Sequence, residues 1–282
     1  MPQVGEHEKW VFKMFGSEQE FAQSRATLAY LYRTLGEFRF PIRLRGYWLA
    51  RSLAPGFAPR TILDAGSGRG HTAFYLSRRF PLARITGIDI NSKAIEHCQQ
   101  IAERSQQDNA QFLVRDVAEP ERDNTKRYDL ITCFEVLEHV IEFEAVLINF
   151  ARQLAVSGCL IIHTPAAGRF QSSTFGLRRL MPARTATTLE RGQSHVRTGF
   201  LLSELAKTVE RHGLRVDHAQ FTFGPPAMLA HTLYELTRSH TIMTAATFPF
   251  LMLAAWLDAQ RLPSEGGGIL LRAYNNNTEC DS

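Results

Sequence analysis

Apolar, β-branched runs alternate with amphipathic stretches through the middle of the chain, and this alternation predicts strands separated by helices. The predicted strands are a short run that ends at Asp64, then 83–91, 111–114 and 159–165, with another that starts at Tyr128 and becomes a loop by Val140. The predicted helices cover 71–79, 92–104 and 143–154. Such alternation is typical of a parallel sheet with helices on both faces, so the sequence predicts an α/β fold.

Both ends of the chain add further elements. Residues 17–20, Ser-Glu-Gln-Glu, have the spacing of a capping box and predict a helix with these apolar positions near one face: Phe21, Leu28, Leu31, Tyr32 and Leu35. A second helix is predicted over 44–53, and Ser203 is placed to cap a helix over 204–212. Strands are predicted at 214–223 and 267–274.

The stretch between these two last strands, about forty residues, is too long for a structureless loop and predicts helices. We therefore expect a helical N-terminal cap over 1–55, a core over 56–224, a helical insertion or lid over 225–265, and a last core strand with a tail over 266–282. The insertion and the loop over 165–200 are the predicted sources of substrate specificity.

The segment after the first strand, Asp64-Ala65-Gly66-Ser67-Gly68-Arg69-Gly70, carries the most specific chemistry. A strand that ends in a glycine-rich turn and opens a helix is typical of nucleotide binding, because glycine lets the backbone approach the ligand. The spacing here is G-x-G-x-G, whereas a dinucleotide-binding loop has G-x-G-x-x-G and faces a pyrophosphate. The Asp64 carboxylate would repel a pyrophosphate but suits a cationic amino-acid group. S-adenosylmethionine (SAM), with an ammonium, a sulfonium and no phosphate, fits this loop.

Two more acids follow the next strands. Asp89 lies 19 residues beyond Gly70, where an acid in a βαβ unit can bind both hydroxyls of a ribose. Asp116 is placed to meet the adenine amino group. Each has a structural alternative: Asp89 could cap the following helix, although Asn91 or Ser92 can do so instead, and Asp116 could be a turn residue.

The motifs LDAGSGRG, ITGIDIN, VRDV, YDLITCFEVLEHV and GCLIIHTP, in this order and spacing, resemble the class I SAM-dependent methyltransferases. EVLEHV is most similar to the small-molecule branch that includes ubiquinone-biosynthesis O-methyltransferases. The resemblance implies a Rossmann-like, mostly parallel seven-stranded sheet with an antiparallel last strand and the cofactor across the carboxyl ends of the strands. The implied cofactor contacts are Asp64, Ala65, Gly66, Ser67, Gly68, Gly70, Asp89, Ile90, Asp116, Val117 and Phe134.

Methyl transfer from a sulfonium is an in-line displacement, so the protein mainly positions the acceptor, and a base helps if the acceptor is a hydroxyl. We predict that His139 is this base and that Glu135 is also catalytic, with His163 and His195 as further candidates for the base. The E-x-x-E-H motif also resembles turns that bind a divalent metal, here through Glu135, Glu138 and His139 with His195 completing the site. The same motif occurs in metal-free relatives, where these side chains form hydrogen bonds.

The charge distribution points to an anionic partner. The net charge is +4, and arginine is concentrated in two groups: Arg33, Arg39, Arg43, Arg45 and Arg51, and then Arg169, Arg178, Arg179, Arg184, Arg191 and Arg197. The guanidinium binds carboxylates and phosphates as a planar fork, which would suit an anionic substrate or an anionic membrane surface. The alternative, a solvated arginine surface, stays equally open. The apolar stretch 241–257 contains Pro249 and is slightly short for a membrane span; we expect a buried helix pair or lid, with shallow membrane contact left open.

The cysteines and the N-terminus bear on the cellular setting. Cys98, Cys133, Cys159 and Cys280 have no paired spacing, and we expect neither a zinc site nor a disulfide framework. Cys133 and Cys159 fall in predicted core strands, where cysteine packs as a small apolar residue. The first ten residues do not resemble a signal peptide, so the expected location is the cytoplasm.

Together these features predict a SAM-dependent methyltransferase that modifies oxygen or carbon of an apolar or anionic small molecule. The main alternative is an RNA methyltransferase, with or without a metal, which the arginines and E-x-x-E-H allow but which lacks a recognisable RNA-binding motif here. DNA is not an expected partner, because the fourth strand ends in CFEV. The glycine spacing and Asp64 disfavour an NAD-linked oxidoreductase, and a SAM-binding protein without catalysis is a further alternative.

Overall fold

The computed structural model describes residues 15–22, 25–121, 123, 125–167, 196–238, 241–260 and 263–275. Its strands are β1 (Thr61–Ala65), β2 (Arg84–Asp89), β3 (Ala110–Val114), β4 (Tyr128–Phe134), β5 (Leu154–Pro165), β6 (Leu214–Thr222) and β7 (Gly268–Asn275). Its helices are α1 (Glu18–Ala22), α2 (Ala26–Leu35), α3 (Phe40–Ser52), α4 (His71–Arg79), α5 (Ser92–Arg104), α6 (Phe143–Gln153), α7 (Leu202–Arg211), α8 (Pro225–Thr237) and α9 (Thr241–Gln260). A short 3-10 turn, Leu137–His139, follows β4.

The seven strands form one sheet in the order β3-β2-β1-β4-β5-β7-β6. Strands β1 to β5 are parallel to one another, and β7 is antiparallel to both β5 and β6. This confirms the predicted fold. The direction of the strand order reverses between β1 and β4, so the loops at their carboxyl ends diverge and leave a crevice where open α/β sheets bind ligands.

The central strands are buried on both faces because successive side chains point to opposite sides of the sheet. Ile62 and Leu130 belong to one apolar cluster, together with Trp48 and Phe74. The next residue on β1, Leu63, belongs to the second cluster on the other face. Helices therefore cover the sheet on both sides, as the near-continuous apolar strands predict.

The prediction of one helix after the capping box is wrong. The chain forms two helices, α1 and α2, and Arg25 before α2 has an extended backbone. Glu20 pairs with Arg33 and so links the two helices side by side. Glu18 is buried, and it pairs with His71 and Arg78 of α4.

Three other boundaries also differ from the prediction. Helix α3 begins at Phe40 instead of 44, because Pro41 fits the first turn of a helix. Helix α7 begins at Leu202, which puts Ser203 inside the helix and leaves its N-cap position to Leu201. Strand β5 begins at Leu154 instead of Cys159, because Leu154 pairs with Tyr128 ahead of a register shift in β4.

The predicted helices of the insertion are confirmed as α8 and α9, which pack on each other and on α3. Phe38, just before α3, contacts Phe248 of α9 with ring centroids 5.4 Å apart. Among the described helices, none is long and apolar enough to cross a membrane. Cys133 and Cys159 are buried in the sheet as predicted. The division of the chain into four segments stays a prediction.

Candidate active site

A cavity of about 700 Å³ lies at the carboxyl ends of β1, β2 and β4. Most of the sequence-predicted site residues line it: Asp64, Gly66, Ser67, Gly68, Asp89, Ile90, Asp116, Val117, Phe134, Glu135 and His139. Ala65 and Gly70 are outside this lining, and both are buried beside it. His163 and Glu138 lie behind the wall, while His195 is outside the described residues. A cavity of this size suits a small organic ligand.

The glycine loop is held by contacts on both sides. The backbone N–H groups of Gly66 and Ser67 both donate to the carbonyl of Ile88 at 2.8 Å, which fixes the loop to the end of β2. Gly66 has φ +74°, and a Cβ there would lie 2.2 Å from Cγ2 of Val136 in the loop after β4. Glycine at position 66 therefore permits two strand-end loops to touch.

Asp64 lies at the cavity floor and is 2% exposed. Its Oδ1 accepts a hydrogen bond from the Thr132 hydroxyl at 2.8 Å, and its Oδ2 is buried without a partner among the described residues. Burial raises the pKa of Asp64 to about 7, and the interactions with the Thr132 hydroxyl and the Ala73 backbone N–H offset this only in part. A buried carboxylate oxygen without a donor is costly, and a cationic ligand group would satisfy it.

The capping role that the sequence left open for Asp89 belongs instead to Asn91, and ribose binding by Asp89 stays a prediction. The Oδ2 of Asp89 accepts from the Gly68 N–H and its Oδ1 from the Asn91 N–H, each at 2.8 Å. Asn91 caps α5, accepting from the N–H groups of Lys93 and Ala94. Because each carboxylate oxygen can accept two hydrogen bonds, Asp89 still has acceptor capacity toward the cavity.

Asp116 makes a local turn contact, with its Oδ1 accepting from the Ala118 N–H at 2.8 Å. Its side chain also lines the cavity together with Val117. The structure thus supports the turn role and keeps Asp116 near the ligand. Contact with adenine stays a prediction.

The turn after β4 carries His139 into the cavity, with 20% of its side chain exposed. The neighbouring Glu138 is 1% exposed, and its Oε1 lies 3.9 Å from Nε2 of His139. Its Oε2 accepts from the Thr164 hydroxyl at 3.1 Å. Burial, together with the negative charge of Glu135, raises the pKa of Glu138 to about 8.

Glu135 is held by side chains from two elements, and a side chain from a third element supports one of them. Its Oε2 accepts from Arg45 of α3 at 2.5 Å, and its Oε1 accepts from Nδ1 of His163 on β5 at 2.7 Å. The Thr222 hydroxyl on β6 in turn lies 2.9 Å from Nε2 of His163. Burial alone would raise the pKa of Glu135, but the charges of Arg45 and His163 lower it to about 2.

These contacts bear on the choice of base. Both ring nitrogens of His163 are engaged and the side chain is 2% exposed, so it presents no free nitrogen to an acceptor. A carboxylate with a pKa of about 2 is a poor proton acceptor at neutral pH. His139 is therefore better placed than His163 or Glu135 to take a proton in the cavity.

Arg197, one of the arginines expected to face an anion, instead fixes the turn. Its NH2 donates to the carbonyls of Val140 and Ile141 at 3.1 and 2.9 Å. Its guanidinium lies 4.3 Å from the ring centroid of Phe143 and 5.1 Å from that of Phe200. The backbone N–H groups of Val196 and Arg197 add hydrogen bonds to the Glu138 carbonyl. No sequence motif indicated this role.

Within the part of the chain that the structure describes, Glu135, Glu138 and His139 do not bring three ligand atoms within 4.8 Å of one another, and Glu135 pairs with Arg45 and His163. Because His195 is outside the described residues, the metal site at the E-x-x-E-H turn stays an untested hypothesis. Among the described residues, three donor side chains come within 4.8 Å of one another at Glu18, Glu37 and His71. There, Arg39 already pairs with Glu37, and Arg78 lies 3.5 Å from Glu18. We therefore assign no metal-dependent step to either group.

Several cavity residues were not predicted, and some of them come from distant segments. They are Phe15, Ile42, Arg45, Arg69, His71, Thr72, Ala118, Val136, Val140, Ile141, Glu142 and Val196. Phe15 packs on Tyr75 with ring centroids 5.5 Å apart. Arg45 and Glu135, which are hydrogen-bonded, lie 90 residues apart in the sequence. Of the unpredicted lining residues, Arg69, Val136 and Val140 fell within motifs that the sequence singled out.

The chain matches the family model described as a methyltransferase domain over residues 59–211, more than half of its 282 residues. It belongs to this family, and with its sheet order and antiparallel β7 it is a class I SAM-dependent methyltransferase by fold and family.

Two curated relatives are ubiquinone biosynthesis O-methyltransferases. The chain is 32% identical to the one from Acinetobacter baylyi over 43% of its own length and 51% of the relative's. It is 30% identical to the one from Serratia proteamaculans over 51% and 60%. The chain thus matches between half and three fifths of these relatives' lengths. The solved structure of the plantazolicin methyltransferase BamL, in complex with a triazolic substrate analogue and S-adenosylhomocysteine (SAH), shares the fold with a TM-score of 0.55 at 17% identity, covering 95% and 97% of the two chains.

Replacement of Gly66 by alanine should destabilise the protein more than replacement of Gly68. Both have positive φ, so each alanine incurs the left-handed backbone cost of about 1–2 kcal/mol. Only at Gly66 does the added Cβ also meet Val136, whereas at Gly68 the nearest atom, Oδ2 of Asp89, is 4.0 Å away; overpacking adds about 1–3 kcal/mol. Urea unfolding of the two variants measures the difference, and equal losses would show that the Val136 contact is not tight.

Proposed function

We propose that this protein transfers the methyl group of SAM to a hydroxyl oxygen of a small-molecule acceptor, with His139 as the base. The observation that carries the cofactor assignment is the unpartnered, buried Oδ2 of Asp64 beside a glycine loop. An ammonium group satisfies such an oxygen, whereas a pyrophosphate would be repelled by it. The names of the curated O-methyltransferase relatives support oxygen over carbon as the methylated atom.

The lining residues on the two sides of the cavity would bind two different ligands, SAM and the acceptor. Asp64, Asp89 and Asp116 line the side formed by β1, β2 and β3, where they would hold the amino-acid, ribose and adenine parts of SAM. SAM supplies a methyl group on a sulfonium, which is already a good leaving group. Arg45, His139 and Val196 line the cavity on the side of α3 and the turn after β4, which leaves that side for the acceptor.

On this basis the protein's own task is positioning and one proton transfer. Arg197 holds the turn, and the turn presents His139 to the acceptor hydroxyl. The Nε2 of His139 takes the hydroxyl proton, and the buried Glu138 at 3.9 Å lies next to the cation so formed. An acceptor held in line with the methyl group needs little further activation. A cytoplasmic location remains an expectation from sequence.

Equilibrium dialysis with SAM and with NAD tests the cofactor assignment directly. We expect SAM to bind, and Asp89→Ala to weaken it by about 1–3 kcal/mol, because a hydrogen-bonded carboxylate is lost. Asp108→Ala is the matched control, since Asp108 is exposed in the turn before β3, at the opposite edge of the sheet. Binding of NAD in place of SAM would overturn the proposal.

The affinity for SAM should depend on pH through Asp64. Because burial raises its pKa to about 7, Asp64 is mostly protonated below pH 7 and loses its attraction for the ammonium group. We expect SAM binding to weaken roughly tenfold from pH 8 to pH 6. Isothermal titration across this range measures the trend, and in Asp64→Asn binding should be weak with a flatter pH profile. A wild-type profile without this slope would contradict the assignment of Asp64.

Replacement of His139 by alanine should lower turnover by about 10²–10⁴-fold while SAM affinity is kept, because only the proton transfer is lost. Transfer of a labelled methyl group to a panel of hydroxylated aromatic compounds provides the measurement. His212→Ala is the control, because His212 bonds Glu144 away from the cavity. If His139→Ala retains full turnover, another group is the base.

A further inference from the structure

The two groups of arginines that suggested an anionic partner are mostly used inside the protein, as far as the described residues show. Arg33 pairs with Glu20, Arg39 with Glu37, and Arg51 donates to the Tyr47 hydroxyl. Arg43 donates to the Glu37 carbonyl, and Arg197 donates to the turn carbonyls described above. Of the described members of both groups, Arg45 is the one that lines the cavity.

The guanidinium of Arg45 has a fixed orientation and unused donors. It donates to Oε2 of Glu135 at 2.5 Å and lies 5.9 Å from the ring centroid of Phe223. A guanidinium has five N–H groups; the Nε of Arg45 is buried, so the donors left for a ligand are those of the two terminal nitrogens. About a quarter of the side chain remains exposed, at 28%. One ion pair therefore does not exhaust its capacity for hydrogen bonds.

The side chains beneath Arg45 act as a rigid support. Glu135 is bound by His163, and His163 is bound by Thr222, so three strands hold the carboxylate that holds the guanidinium. Holding a donor in place before a ligand arrives reduces the entropy lost on binding. Glu135 also balances the charge of Arg45, which allows a cation to lie at a mostly apolar wall.

The neighbouring wall is apolar and therefore suits the body of an acceptor. Ile42 precedes Arg45 by one turn of α3 and lines the same cavity, as do Val140, Ile141 and Val196. The acidic side chains on the opposite side are those assigned to the cofactor. A ligand on the α3 side would meet these apolar groups and the Arg45 guanidinium, with its partner Glu135 and the side chains of His139 and Glu142 also in the cavity lining.

We propose that Arg45 is the acceptor-recognition residue, and that it binds a carboxylate on an acceptor whose body is apolar. This inference rests on the proposed function and adds the chemical class of the acceptor. An arginine fork matches a carboxylate in geometry as well as charge. A hydroxylated aromatic acid is the simplest compound with the required groups.

The test compares 3,4-dihydroxybenzoate with catechol, which lacks the carboxylate, by isothermal titration into the SAH-loaded full chain. We expect the acid to bind about tenfold more tightly, the scale of one hydrogen bond to a charged group. In Arg45→Gln the two compounds should bind within about twofold of each other. Arg45→Lys, which keeps the charge and the Glu135 pair but not the fork, should retain part of the preference.

Arg51→Gln is the matched control, because Arg51 lies on the same helix and outside the cavity lining, and it should keep the full preference. Equal binding of the two compounds to the wild type, binding of neither, or a preference that survives in Arg45→Gln would each overturn the inference. SAH titrated alone separates this from the proposed function: if SAH does not bind, it is the cofactor assignment that fails. If Arg45→Gln does not fold, Arg45→Lys still tests the inference. A full preference for the acid over catechol in that variant would show that the planar guanidinium is not what recognises the carboxylate.

Discussion

The contact between Gly66 and Val136 is the constraint on which the candidate site depends. Strands β1 and β4 are parallel neighbours, with Ala65 opposite Cys133, so their loops leave the sheet at the same level. A Cβ at position 66 would occupy the space that Val136 fills. Because the two loops touch there, the carboxylate of Asp64 and the turn that carries His139 border a single cavity.

The second requirement is a fixed wall opposite the cofactor side. Arg45 belongs to a helix that precedes the whole sheet, yet its ion pair with Glu135 connects that helix to β4, β5 and β6. Arg197 does the same for the segment before α7 by bonding the turn carbonyls. Both arginines stabilise loops by donating to acceptors that would otherwise lie partly buried and unpaired.

The positions of residues that belong to local sequence motifs were predicted well, whereas contacts between segments far apart in the sequence were not predicted. The strand-end acids Asp64, Asp89 and Asp116 all line the cavity, because parallel strands end at the same edge of a sheet. The capping box led to the wrong prediction of one continuous helix at the N-terminus. In the structure Glu20 pairs with Arg33, and Glu18 is buried against α4. His163 was a candidate base by its place at a strand end, but its ring is enclosed between Glu135 and Thr222.

The sequence alone determined the sheet, the crevice and the cofactor class, because apolar periodicity, glycine spacing and strand-end acids act within a few residues of one another. Only the tertiary structure decided which charged groups face the cavity. Arg45 and Arg197 look alike among the clustered arginines, yet one lines the cavity and the other bonds backbone carbonyls. A guanidinium's role is set by the acceptors that surround it, and here those acceptors come from segments far away along the chain.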